Sequence, residues 1–152
     1  MRLSTKGVYA LEATLLLSLK ATGGKLLSIR EIADETGLSD RYLEQIFTKL
    51  RKSGIVISSR GKQGGYCLAL PPEKLTAGSV LRAAEGSLMP VNCLDDSQRQ
   101  QPECSRTAIC PTRPLWHKME KDISHVVDSI TLADLAAAYD QDGYRDMTDF
   151  VI

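Results

Sequence analysis

A mainly helical fold with one small β-hairpin is predicted, and three observations predict it. Leu43, Ile46, Phe47 and Leu50 recur at i, i+3, i+4 and i+7, the spacing of one buried helical stripe. From Ile55 to Leu70 apolar and polar residues alternate on either side of the Gly-rich turn Gly61 to Gly65, the pattern of a hairpin. Beyond Thr112, the residues Trp116, Met119, Ile123, Val126 and Ile130 advance by 3, 4, 3 and 4, a narrow seam that pairs one helix with another, in a second copy of the chain or, alternatively, on the chain's own core. Together these describe a winged helix-turn-helix over residues 1–75. Residues 76–152 then hold a cysteine-containing loop and a long dimerisation helix.

In chain order, Thr5 is expected to cap a first helix whose apolar positions are Val8, Leu11, Leu15, Leu16 and Leu19, ending at Gly23-Gly24. Ser28 and Glu31 form a capping box for a second helix with Ile29, Ile32 and Ala33 inward, which ends near Gly37. Ser39 caps the third, and two short helices joined by a tight turn have helix-turn-helix spacing. Gly54 stops that helix, and in the hairpin Ile55 and Ile57 alternate with Val56 and Ser58, then Tyr66, Leu68 and Leu70 with their neighbours. After Pro71-Pro72, Thr76 caps a short helix with Val80, Leu81 and Ala84 inward, ending at Gly86.

Residues 87–111 carry no period, and their polar middle offers too little apolar surface to offset the entropy of ordering it. Three of the four cysteines, Cys93, Cys104 and Cys110, lie there, so something besides packing should hold the segment. Thr131 and Asp134 cap a last short helix, and the acidic tail from Asp140 is expected to be loose.

Hydrophobic residues make up 43% of the 152, enough for a core, and the formal net charge is zero. That zero hides a division, because residues 1–75 hold 12 Lys and Arg against 7 Asp and Glu, whereas residues 76–152 hold 7 against 12. Only the first half is suited to meeting phosphate.

The candidate DNA surface follows from that. Arg41, Glu44 and Gln45 would face base edges, while Arg51 and Lys52, with Arg60 and Lys62 on the hairpin turn, would meet phosphate or the minor groove. Arg2 and Lys6 sit at the start of the first helix, where amide groups favour anions, although ordinary solvated charge explains them equally. Ser39, Tyr42, Lys49 and Gln63 complete the surface.

The apolar run Leu15 to Leu19 is too short to span a bilayer, and with Glu12 just before it the chain reads as cytoplasmic, with no membrane partner. In a reducing compartment the cysteines are then reduced thiols, catalytic groups or metal ligands rather than a disulfide framework. No Cys-x-x-Cys opens a helix, and the Gly-rich turn GKQGG lacks the Gly-Lys-Ser/Thr pattern that holds a nucleotide, so an enzyme is not expected. Cys67, between Tyr66 and Leu68, reads as a small packing residue.

The opening MRLSTKGVYAL, the block YLEQIFTKLRKSGIVISSRGKQGGYCL, three cysteines before a Leu-Trp helix, and the late ITLADL resemble the Rrf2 family of bacterial winged-helix repressors, typified by IscR, NsrR and CymR. The resemblance covers nearly the whole chain. It implies a homodimer on an operator duplex and, as in many members, an iron-sulfur cluster of the 2Fe-2S or 4Fe-4S type at Cys93, Cys104 and Cys110. The first gap between these cysteines is longer than in some members. Arg113 stands where IscR-like members place a ligating histidine, and His117, seven residues past Cys110, lies about 10 Å from it along a helix. In some relatives the partner's first helix completes the site, which would give the role to the partner subunit's Glu12. The resemblance also allows a cluster-free regulator, acting as a thiol switch or through a partner enzyme of cysteine metabolism.

Overall fold

In a computed structural model of the chain, residues 3–61, 63–89, 91, 94 and 109–141 are described. Arg2, Lys62, Cys93, Cys104 and the tail from residue 142 lie outside the described residues. The observed order is α1 (Thr5–Lys20), α2 (Ile29–Thr36), α3 (Asp40–Lys52), β1 (Val56–Ser59), β2 (Gly65–Leu68), α4 (Ala77–Glu85), α5 (Arg113–Ser129) and α6 (Leu132–Gln141).

Helix α1 departs from expectation in two ways. Ser4 is its cap, with extended backbone and a side chain that accepts from the Lys6 amide, and Thr5 is the first helical residue. The buried face is Gly7, Ala10, Ala13, Thr14 and Leu17. Small side chains there let α1 lie close against α4, so the larger aliphatic residues are displaced to the flanks and Val8 remains 43% exposed. Thr14 is buried without penalty because its hydroxyl donates to the Ala10 carbonyl at 2.9 Å.

The Ser28-Glu31 capping box closes in both directions, and Gly37, at φ 69°, ends α2 in the left-handed region that glycine favours. Helix α3 buries Leu43, Ile46, Phe47 and Leu50 as its spacing predicts. The hairpin pairs Val56 with Leu68 through to Ser59 with Gly65. Its inward residues differ from simple alternation, since Ile55 and Val56 are both buried and Ile57 is 54% exposed. Ile55 precedes the strand and still belongs to the turn out of α3, where its amide bonds the Leu50 carbonyl, so strand alternation starts at Val56. Leu27 adds a one-residue bridge on the other edge of β2, exchanging hydrogen bonds with Tyr66 at 3.0 and 2.8 Å.

Thr76 caps α4 as expected, its hydroxyl accepting from Ser79. The core is continuous across residue 75: Leu75, Val80, Ala84 and Leu132 are buried together with Ala10, Leu43 and Phe47. Thr131 and Asp134 bond each other's backbone amides at the head of α6. Helix α5 is different, for no residue on it is buried. Among the described residues no helix is long and apolar enough to cross a membrane.

Candidate nucleic-acid interface

Successive residues of α3 are about 100° apart around its axis, so the stripe buried on the core leaves Arg41, Gln45, Thr48 and Lys52 on the opposite row, with Glu44 beside it. All five are exposed. Thr48 was not among the expected contact residues, because an uncharged threonine gives no signal of its own in the sequence although it stands seven residues after Arg41. Its hydroxyl donates to the Glu44 carbonyl at 2.7 Å, which leaves an oxygen lone pair and a methyl group outward.

The hairpin is fixed beside this row. Arg51 at the end of α3 donates to Ser58 on β1 at 3.4 Å, and β2 is held from behind by Leu27. A Cβ on Gly65 would stand 2.5 Å from the Leu27 carbonyl oxygen, so glycine alone permits that backbone approach. Phe47 packs on Tyr66 with ring centroids 4.6 Å apart, locking β2 to α3. Arg60 and Gln63 are exposed on the turn, where Gly61 has φ 120°.

Not every predicted contact residue points outward. Tyr42 is half-buried, edge-on to Tyr9 at 5.9 Å and hydrogen-bonded through its hydroxyl to Thr5, so it joins α3 to α1. Ser39 spends its hydroxyl on the Tyr42 amide as the α3 cap. Lys49 is exposed along its stem, and its ammonium donates to the Ala84 carbonyl at 2.6 Å, where the carboxyl end of a helix favours a cation. Lys6, Gln45, Ile46, Thr48, Lys49 and Ala84 line a shallow cleft of about 320 Å³ between the start of α1 and the outer row of α3.

On α5, the side facing α4 carries Val127 and two polar residues, Ser124 and Asp128. Arg82 of α4 bonds Asp128 at 2.6 and 2.9 Å and Ser124 at 3.2 Å. Bonding to Arg82 holds the Asp128 carboxyl below the usual carboxylate range. Trp116, Met119, Ile123 and Val126 lie roughly a quarter-turn or more around the helix from that side, and Val126 and Leu115 are 55% and 53% exposed. Ile130 lies just past the helix as its cap and is partly buried.

Of the three candidate cluster ligands only Cys110 is described. It is partly exposed just before the amino end of α5, with Sγ 3.3 Å from the Thr112 hydroxyl, which also accepts from the Trp116 indole at 3.1 Å. Among the described residues no three His, Cys, Asp or Glu side chains gather as a metal site. Arg113 donates to His117 at 3.2 Å on the exposed side of α5. Glu12 is largely exposed midway along α1, and partial burial of its carboxyl raises its pKa above the ordinary value. Cys67 is half-buried on β2, opposite Ile57.

Comparison with known proteins bears on this arrangement. The Rrf2 family model, described as iron-dependent transcriptional regulator, matches residues 3–138. The chain is 38% identical over 140 residues to the HTH-type transcriptional regulator CymR of Bacillus subtilis, covering 92% of this chain and 93% of that one. The solved structure of CymR, the global cysteine regulator of B. subtilis, superposes with a TM-score of 0.71 at 37% identity, covering 91% of this chain and 98% of that one. The structure of T. potens IscR superposes with a TM-score of 0.70 at 38% identity, covering 91% and 88%.

Proposed function

Because the chain belongs to the Rrf2 family of transcriptional regulators, we propose that it is a cytoplasmic DNA-binding repressor, not an enzyme, whose operator affinity depends on an iron-sulfur cluster at Cys93, Cys104 and Cys110. The observation that carries the DNA reading is the outward row Arg41, Gln45, Thr48 and Lys52, set beside a hairpin tip with Arg60. Glu44 and Gln45 offer groups that discriminate among base edges, while Arg41, Arg51, Lys52, Arg60 and Lys62 meet phosphate or the minor groove. Arg2 and Lys6 extend this grip at the start of α1.

The functional unit is a homodimer. Two faces support this: the exposed side of α5 with Val126, and the flank of α1 with Val8. A two-fold axis along α5 would set two recognition helices about 34 Å apart, one turn of duplex.

Cys110 suits a thiolate ligand, being partly exposed at the positive end of α5. Cys93 and Cys104, with Glu12 of the partner subunit, would complete the set. A bound cluster would supply a redox- and ligand-sensitive centre. The chain's own part is to hold the cluster at these thiolates ahead of α5, and this shifts DNA affinity only if the cluster fits one dimer geometry better than another.

The likeness to CymR favours a second reading, in which the cysteines form a thiol switch or the chain acts through a partner enzyme of cysteine metabolism. Anaerobic purification separates the two. The cluster reading expects a coloured protein that bleaches in Cys93→Ala, Cys104→Ala and Cys110→Ala but not in Cys67→Ala, with holo and apo forms differing in affinity for one duplex. A colourless wild type, or equal affinities, leaves the second reading standing.

A further inference from the structure

Helix α4 is tied to the DNA-facing elements by its last turn. Glu85 Oε1 accepts three hydrogen bonds from the first turn of α1, from the Ser4 amide at 3.1 Å, the Ser4 hydroxyl at 2.6 Å and the Gly7 amide at 2.9 Å. The preceding carbonyl, of Ala84, receives Lys49 from α3. The start of α1 and the outer edge of α3 are thus both registered on two consecutive residues, with Lys6 in the cleft between them.

Gly7 shows how closely this junction is built. Its φ is not positive, so alanine would serve the helix better, yet a Cβ there would stand 2.5 Å from Glu85 Oε1. The first turn of α4 is built alike: a Cβ on Gly78 would run into Asp128 Oδ1, one of the two oxygens that Arg82 holds.

The geometry points to Glu85 as a positioning residue for DNA binding, holding the first turn of α1 and Lys6 at the edge of the recognition helix and passing to that edge the orientation that α5 imposes on α4. The inference rests on the DNA-binding reading above. No part of it requires a metal. Because α4 meets α5 through Arg82 and meets α1 through Glu85, one turn apart on the same helix, a rotation of α5 against the winged helix is carried to Lys6 by a rigid element.

The test uses the full chain and a duplex selected by the wild type from a randomised library, with a scrambled duplex as control. All three bonds end on one oxygen, so Glu85→Gln can keep them through its amide carbonyl, whereas Glu85→Ala loses them. The expected result is a loss of affinity of about tenfold for Glu85→Ala and less than about threefold for Glu85→Gln, with the oligomeric state unchanged. Gly7→Ala, which adds a methyl group instead of removing a carboxylate, should weaken binding as Glu85→Ala does and add nothing in the Glu85→Ala background. Tighter binding by both Glu85 variants would mean that the carboxylate merely repels phosphate and overturns the inference. A lower melting temperature for Glu85→Ala with unchanged affinity overturns it too, by leaving Glu85 a purely structural role. If the wild type selects no duplex, the DNA-binding reading fails and the inference falls with it.

Discussion

Replacing Arg60 by Ala tests whether the hairpin grips the duplex. Arg60 is exposed on the turn next to Gly61, away from the core, so the variant should fold with unchanged stability. Each phosphate neutralised contributes about 0.9 to the slope of log affinity against log salt, and a two-fold dimer presents the residue twice, so the slope should fall by about 1.8. Between 50 and 200 mM salt the wild type should therefore lose about 12-fold more affinity than the variant. Fluorescence anisotropy on one labelled duplex over a salt series reads this directly. An unchanged slope refutes the contact. A fall of about 0.9 would place a single wing on DNA per dimer. Were Arg60 instead reading the width of the minor groove, the loss would vary with the sequence flanking the site at fixed salt.

Three further outcomes are expected. Phe47→Ala removes a fully buried ring packed on Tyr66 and should cost about 3–5 kcal/mol in chemical denaturation; a loss below about 1 kcal/mol would mean that the site collapses around it. The Asp128 carboxyl has a lowered folded pKa, so its contribution to stability is present above its unfolded value of about 3.9 and lost as pH falls through the folded value. Asp128→Asn should flatten the acid limb of a melting-temperature series, and an identical limb contradicts the ion pair's role. Glu12 has the opposite sign: its raised pKa means that the charged form is disfavoured in the fold, so Glu12→Gln should raise the melting temperature of the apo chain at neutral pH while bleaching a cluster if that carboxylate is a ligand.

How much was legible in the sequence follows from where the signals are local. Capping residues and a 3-4 apolar spacing specify α2, α3, α4 and α6 within the turn they occupy, and those elements stand where Ser28, Ser39, Thr76 and Thr131 place them. The face of α1 was not legible, because Ala10, Ala13 and Gly7 are buried for their smallness against α4, and smallness carries no apolar period. The Leu27 bridge was hidden for a similar reason: one residue of backbone pairing has no pattern to read. Tyr42 and Lys49 were assigned to the outer face by type, yet their polar ends are taken up by Thr5 and Ala84, partners distant in sequence. Glu85 carries no signal in the sequence, since its three donors lie about eighty residues away.

The division of charge at residue 75 takes on a different meaning once the acidic side chains are located. A net of −5 over residues 76–152 could serve only to keep that half off the duplex, but three of its carboxylates have internal tasks. Glu85 caps α1, Asp128 holds Arg82, and Asp134 caps α6. Glu85 and Asp128 each tie α4 to a neighbour, on the path from α5 to the start of α1, whereas Asp134 closes the first turn of its own helix. The acidic half is therefore a mechanical part as well as an electrostatic one. Replacing Glu85 or Asp128 by Ala, which removes the bonds together with the charge, should alter DNA binding through geometry, against the direction in which removal of negative charge alone would move it.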